Sequence, residues 1–135
     1  MLSAEKRMGS MSITIDITDV TEVPMPRAGE FALRAEAAGF DGVGVRDNQA
    51  TGRDSYLRLA LSALQTSKLT LFPAVSNPVT RHPTVLASLI NSLRELAPER
   101  IRLVMGGGEG SVAHIGVPPA KIAQVRDATL VIRRL

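Results

Sequence analysis

Four apolar runs in the chain each end in a cluster of polar residues or glycines, and these clusters hold the groups able to do chemistry. Asp16 to Asp19 follow the first run, and Asp47, Asn48 and Gln49 the second. Ser76, Asn77, Thr80, Arg81 and His82 follow the third. Gly106, Gly107, Gly108, Glu109, Gly110 and Ser111 follow the fourth. The glycine run suggests a cradle, because glycine lets backbone N–H groups approach a phosphate or a flat ring closely. Its spacing departs from the nucleotide fingerprints. Ser111 stands where a dinucleotide motif needs its third glycine, and the Gly-Lys-Ser/Thr of a P-loop is absent. A plain connector is the competing reading.

The 2 histidines, His82 and His114, are too few and too far apart for a zinc site, so no metal is expected. His82 sits between Arg81 and Pro83 at a helix start, where a capping role suffices. No nucleophile elbow or Ser-His-Asp spacing is present. Asp16, Asp47 and Glu109 read more simply as turn or cap residues than as general acids. No residue is assigned a catalytic role. Chemistry performed by an organic cofactor, with the protein supplying position and electrostatics, fits this inventory.

The elements that must position these clusters alternate. Ser12 to Ile17 (SITIDI) reads as a strand, and a helix over about Ala28 to Ala38 ends at Gly39. Phe40 to Arg46 is the second strand. Asp54 or Ser55 caps a helix that runs to Gln65. Leu69 to Val75 is the third strand, irregular at Pro73. A helix with Pro83 in its first turn reaches Leu96. Ile101 to Met105 is the fourth strand, and a last helix begins near Pro118 and Pro119. Four βα units predict a parallel sheet covered by helices, with ligands at the carboxyl ends of the strands. Spacing alone leaves an open doubly wound sheet and half of an eight-fold β/α barrel both standing. The helix around Tyr56 to Leu64 is apolar nearly all round, which suggests a second subunit on its outer side.

With 135 residues and 44% hydrophobic content, the chain suits one domain, expected over 12–135 after a flexible 1–11 segment. The absence of cysteine excludes thiol catalysis and disulfide scaffolds. The net charge is only +3, basic residues cluster only at Arg133 and Arg134, and aromatics are scarce, which argues against nucleic acid. No apolar run is long enough for a membrane span, and the N-terminus lacks a secretory pattern. A cytoplasmic location is therefore expected.

The segments AEAAGFDGVGVRDN and GRDSYLRLALSALQTSKLTLFPAVSNPVTRHPTVLASLINSLRELAPERIRLVMGGGEGSVAHIGV resemble the luciferase-like flavin/deazaflavin oxidoreductase family. The likeness is to its methylenetetrahydromethanopterin reductase-like branch. It covers about Ala28 to Leu135, with NPVTRHP its most specific part. The resemblance implies a (β/α)8 barrel, of which this chain holds the first four units, with dimerisation through helices 54–65 and 83–96. It implies an 8-hydroxy-5-deazaflavin coenzyme, or alternatively FMN, and hydride transfer to or from a small organic substrate. An FMN-dependent monooxygenase fragment and a non-catalytic dimerisation module or remnant are the alternatives. The ring is expected against a bulge at Ala74, Val75 and Ser76, often with a non-prolyl cis peptide. Asp47, Asn48, Asn77, Gly106, Gly107, Gly108 and Glu109 are expected around it. Asp47-Asn48 stands where the family commonly has Asp-His, and asparagine cannot shuttle a proton. A half barrel exposes two sheet edges. A second copy, or a partner chain supplying the other half barrel, is the implied associate.

Overall fold

The computed structural model describes residues 13–135. The expected flexible segment 1–11 and Ser12, the expected start of the first strand, lie outside them. Strands β1 (Asp16–Asp19), β2 (Gly42–Val45) and β3 (Thr70–Pro73) form a parallel sheet in that order. Asp16 pairs with Gly42 and Gly42 with Thr70, in register through to Asp19, Val45 and Pro73. Five α-helices follow: α1 (Glu30–Ala37), α2 (Ser55–Gln65), α3 (Pro83–Leu96), the single turn α4 (Glu109–Val112) and α5 (Ile122–Arg134).

The sheet order decides between the two architectures. A doubly wound sheet reverses strand order at a switch point. Here each strand adds beside the last, and residues 101–105 continue the series beside β3. The helices pack in the same succession, α1 on α2, α2 on α3 and α3 on α5, on one side of the sheet. This is the arc of a β/α barrel, covering four of its units.

Several boundaries differ from expectation, among them β2, which runs Gly42–Val45 instead of Phe40 to Arg46, and α1, which starts at Glu30 instead of Ala28. β1 ends at Asp19 instead of Ile17. Alternation hides this, because Asp19 faces the helices and is buried in an ion pair with Arg58. The expected third strand stops at Pro73, which has no N–H to continue the ladder. The expected fourth strand, Ile101 to Met105, pairs with β3 only at Leu71–Ile101 and Ser76–Met105. Between those bridges the third strand spends five steps and the fourth only four, so one residue of 73–75 is extra and the ladder is broken by a bulge. The last helix starts at Ile122 rather than near Pro118.

Local signals behave as read. Gly39 adopts φ +87°, with Gly39 N–H donating to Glu36 O and Phe40 N–H to Ala35 O, which is a Schellman stop. Asp54 accepts from the N–H groups of Tyr56 and Leu57 as the cap of α2. His82 caps α3 through Thr84 N–H, with Pro83 next.

The core lies between sheet and helices, around Val43, Val45, Leu59, Leu71, Leu86 and Leu93. A polar clamp ties α1 to the entry of β3. The Glu36 carboxylate accepts from the N–H groups of Ser67, Lys68 and Leu69, at 2.8 Å for Lys68. Burial acts to raise the Glu36 pKa, but these donors outweigh it and hold it below the ordinary 4.5. The unfolded chain therefore takes up this proton first as pH falls. The stabilisation is present above the ordinary value and is lost as pH falls through the lower folded value. In acid-unfolding curves the Glu36→Gln variant is expected to be less stable at neutral pH and to show a shallower acid decline than the parent.

Candidate functional site

The carboxyl ends of the strands meet at the bulge. Ala74 N–H donates to Val45 O at 2.8 Å, Ser76 N–H to Val104 O at 2.9 Å and Gly106 N–H to Ser76 O at 2.9 Å. The Ala74–Val75 peptide is cis. These bonds pin the bulge between β2 and residues 104–106 and leave the Val75 side chain 40% exposed.

Val75 and Ala74 form one wall of a cavity of about 190 Å³. Arg46, Asp47, Asn48, Gly108, Glu109, Gly110 and Ser111 complete it. Six of the expected residues thus come together: Asp47, Asn48, Ala74, Val75, Gly108 and Glu109. Ser76 and Asn77 do not reach the cavity surface; both are fully buried beneath it. Gly106 and Gly107 line a neighbouring cleft of about 550 Å³ against α5, shared with Glu109, Ile122, Val125 and Arg133. The larger cleft is walled mainly by the flank of α5 and meets the bulge at Gly106, where a Cβ would stand 3.0 Å from Val75 Cγ2.

Each polar residue has a distinct task. Asp47 is saturated: Oδ1 accepts from Ser55 Oγ at 2.9 Å, Gln49 Nε2 at 3.2 Å and Arg81 at 3.4 Å, and Oδ2 from Ser76 Oγ at 2.8 Å. Asn48 Nδ2 donates to Gly110 O at 3.2 Å and so joins the loop after β2 to the start of α4. Asn77 Oδ1 accepts from Val79 N–H and Thr80 N–H, and Nδ2 donates to Ser111 Oγ at 3.0 Å. This folds NPVTRHP into a turn and fixes it to α4. Gly108, at φ +88°, passes so close to Asn77 that a Cβ would lie 2.6 Å from its Cγ. Glu109 is exposed, and its carboxylate accepts no hydrogen bond among the described residues. His114 is exposed and outside the cavity, Asp16 pairs instead with Arg102 at 3.1 Å, and no cluster of potential metal ligands occurs among the described residues.

Two residues buttress this site from outside the cavity: Arg81, named among the polar residues after the third run, and Tyr56, which the sequence placed only in the apolar helix. Tyr56 OH donates to Ser76 Oγ at 3.0 Å. Arg81 lies over the Tyr56 ring, 4.8 Å from its centroid, and pairs with Asp54 at 2.8 Å. The available signal was the i, i+3, i+7 stripe Tyr56, Leu59, Ala63, which turns a phenol inward where its hydroxyl needs a partner. Burial pushes the Tyr56 phenol up to about 12, against the lowering effect of the Ser76 hydrogen bond. Tyr56 is the only tyrosine, so phenolate absorbance reports on it alone. The native chain is expected to titrate near 12 and the urea-unfolded chain near 10. The raised value makes this contribution to stability complete below 10 and lost as pH rises towards 12.

Residues 8–135 match the luciferase-like monooxygenase family. The chain belongs to this family. Among relatives of the luciferase-like chain, a 5,10-methylenetetrahydromethanopterin reductase from Methanolobus tindarius is 36% identical over 97 residues, covering 72% of this chain and 29% of the relative. The structure of the coenzyme F420 dependent tetrahydromethanopterin reductase from Methanopyrus kandleri superposes with TM-score 0.76 at 23% identity, over 90% of this chain and 38% of that one. The oxygenating constituent of 3,6-diketocamphane monooxygenase from Pseudomonas putida, in complex with FMN, gives TM-score 0.74 at 20% identity, over 90% and 39%. This luciferase-like chain therefore spans about a third of the length of the curated relative and carries the first part of the barrel fold.

Proposed function

We propose that the cavity at the bulge receives the ring of an 8-hydroxy-5-deazaflavin coenzyme, and that the chain takes part in hydride transfer to or from a small organic substrate. The observation that carries this is the exposed Val75–Ala74 wall facing Gly108 and Glu109 at the carboxyl ends of the strands. An apolar wall with few convergent polar groups suits a flat, partly polar ring. Gly106 keeps that wall open, since a Cβ there would stand 3.0 Å from Val75 Cγ2. The coenzyme F420 named for the Methanopyrus kandleri reductase is a deazaflavin, which supports that choice of ring. When bound, such a coenzyme supplies the two-electron donor or acceptor. Val75 and Ala74 would support one ring face, and Asn48 would hydrogen-bond at its edge. Glu109 is the pocket carboxylate whose side-chain oxygens are not engaged by the described residues, whereas both oxygens of Asp47 already accept hydrogen bonds.

The same reading includes a second copy against α2 and α3. Leu57 and Leu64 are 61% and 67% exposed, beside a groove of about 320 Å³ lined by Ala60, Leu89 and Leu96. Sedimentation should show a dimer that Leu57→Glu dissociates; a monomer at all concentrations would remove this element alone.

Titration of the folded chain with deazaflavin coenzyme and, in parallel, FMN, followed by cofactor fluorescence, tests the ring site. Saturable binding of the deazaflavin, weakened by Val75→Asp, is the expected result. FMN binding instead would favour the monooxygenase alternative, which the FMN complex among the structural neighbours supports. Binding of neither would leave a scaffold or dimerisation module.

A further inference from the structure

We infer that Tyr56, which does not touch the cavity, is a positioning residue that sets the bulge through Ser76. This rests on the reading of the bulge as the ring wall.

Ser76 is the hinge of the argument. Its backbone re-forms the ladder immediately after the bulge, its N–H donating to Val104 O and its carbonyl accepting from Gly106 N–H. Its side chain is fully buried and stands between two partners. It donates to Asp47 Oδ2 at 2.8 Å and accepts from Tyr56 OH at 3.0 Å. Donor and acceptor capacity are thus both spoken for, which leaves the hydroxyl one orientation. Asp47 carries the chain of contacts to the end of β2, and Tyr56 carries it to the first turn of α2. The strand ladder cannot do this at residues 73–75, where pairing with the fourth strand lapses.

Tyr56 is itself fixed from above and below. Its ring is buried, and the Arg81 guanidinium stacks 4.8 Å from its centroid. Arg81 in turn pairs with Asp54, the cap of α2, at 2.8 Å, and reaches Asp47 at 3.4 Å. The ring of contacts Tyr56–Ser76–Asp47–Arg81 therefore closes on itself. It joins the loop after β2, the start of α2, the bulge and the NPVTRHP turn. Apart from Arg81 Nε, which is buried without a partner among the described residues, the polar atoms that form this ring are hydrogen-bonded, and a connected network of this kind restricts a site to few geometries.

Tyr56→Phe deletes one hydroxyl and keeps the ring, so the packing and the Arg81 stack survive. Two readouts on the coenzyme-free and coenzyme-loaded chain separate positioning from general stability. Amide exchange at Ser76 and Gly106 is expected to accelerate about two- to ten-fold in the variant, the range one neutral hydrogen bond supports, with Leu71 unchanged. Deazaflavin affinity is expected to fall by a similar factor. A double-mutant cycle with Ser76→Ala supplies the decisive comparison: in the Ser76→Ala background, Tyr56→Phe should add nothing to either readout. Unchanged exchange at Ser76, or effects of the two changes that simply add, would overturn the assignment. If the parent chain binds no deazaflavin, the ring-site reading fails, and the exchange cycle still decides whether Tyr56 sets the bulge.

Discussion

Arg58→Ala is expected to remove about 3–5 kcal/mol of folding free energy, the usual cost of leaving one half of a buried ion pair behind. Arg58 Nη2 lies 2.6 Å from Asp19 Oδ2, and the two side chains are only 5% and 3% exposed. Asp19 Oδ1 accepts from the N–H and hydroxyl of Thr21, and Arg58 Nη1 donates to Thr21 O at 2.9 Å. Truncating the arginine therefore strands a carboxylate and a carbonyl, and it frees the chain that leaves β1. A single domain holds about 5–15 kcal/mol in total, so a large share of the margin would go. Urea unfolding measures it. The double change Asp19→Leu with Arg58→Met should recover much of the loss, because an apolar pair of similar volume needs no partner. A cost below about 1 kcal/mol for Arg58→Ala would place the pair with exposed bridges, whose contribution is of that size.

This pair also marks where the sequence stopped being informative. Elements set by neighbouring residues were legible. The Gly39 stop, the Asp54 and His82 caps and the Pro83 start depend on groups within a few positions, and all stand as read. The extension of β1 to Asp19 depends on a cation 39 positions away, and alternation carries no trace of it. The fourth strand has a strand's composition, yet it pairs at only two points, because the extra residue that breaks the ladder sits in the third strand. The architecture became legible only through strand order, which spacing does not contain.

The site divides along the same line. Loops after parallel strands converge, so Asp47, Asn48, Val75 and Glu109 could be assembled from position and resemblance alone. Depth could not. Ser76 and Asn77 carry the polarity of ring-contacting residues, yet they spend it on Asp47, Tyr56, Ser111 and the turn at 79–80. Gly106 and Gly107 line a different cleft from Gly108, and Glu109 borders both. The glycine run is thus several positions with different constraints instead of one cradle.

Gly108→Ala tests that distinction and is expected to have the second large effect. At φ +88° an alanine costs about 1–2 kcal/mol on conformation alone. Its Cβ would also stand 2.6 Å from Asn77 Cγ and 2.8 Å from Asn77 Cβ, and that side chain is fully buried. Asn77 can retreat only by giving up its bonds to Val79, Thr80 and Ser111. Forced rearrangement of this sort adds about 1–3 kcal/mol. The combined loss should be about 2–5 kcal/mol in urea unfolding, summing the two contributions. Gly110→Ala is the matched control. No atom lies within 4 Å of the position its Cβ would take, and its φ is not left-handed. It should leave stability nearly unchanged, as an exposed position in a helical turn does. Because Gly108 and Asn77 hold α4 to the NPVTRHP turn, Gly108→Ala should also weaken deazaflavin binding at least ten-fold; Gly110, which lines the same cavity, is a control for stability alone. Equal stability of the two variants would mean that Asn77 does not fix the wall opposite Val75.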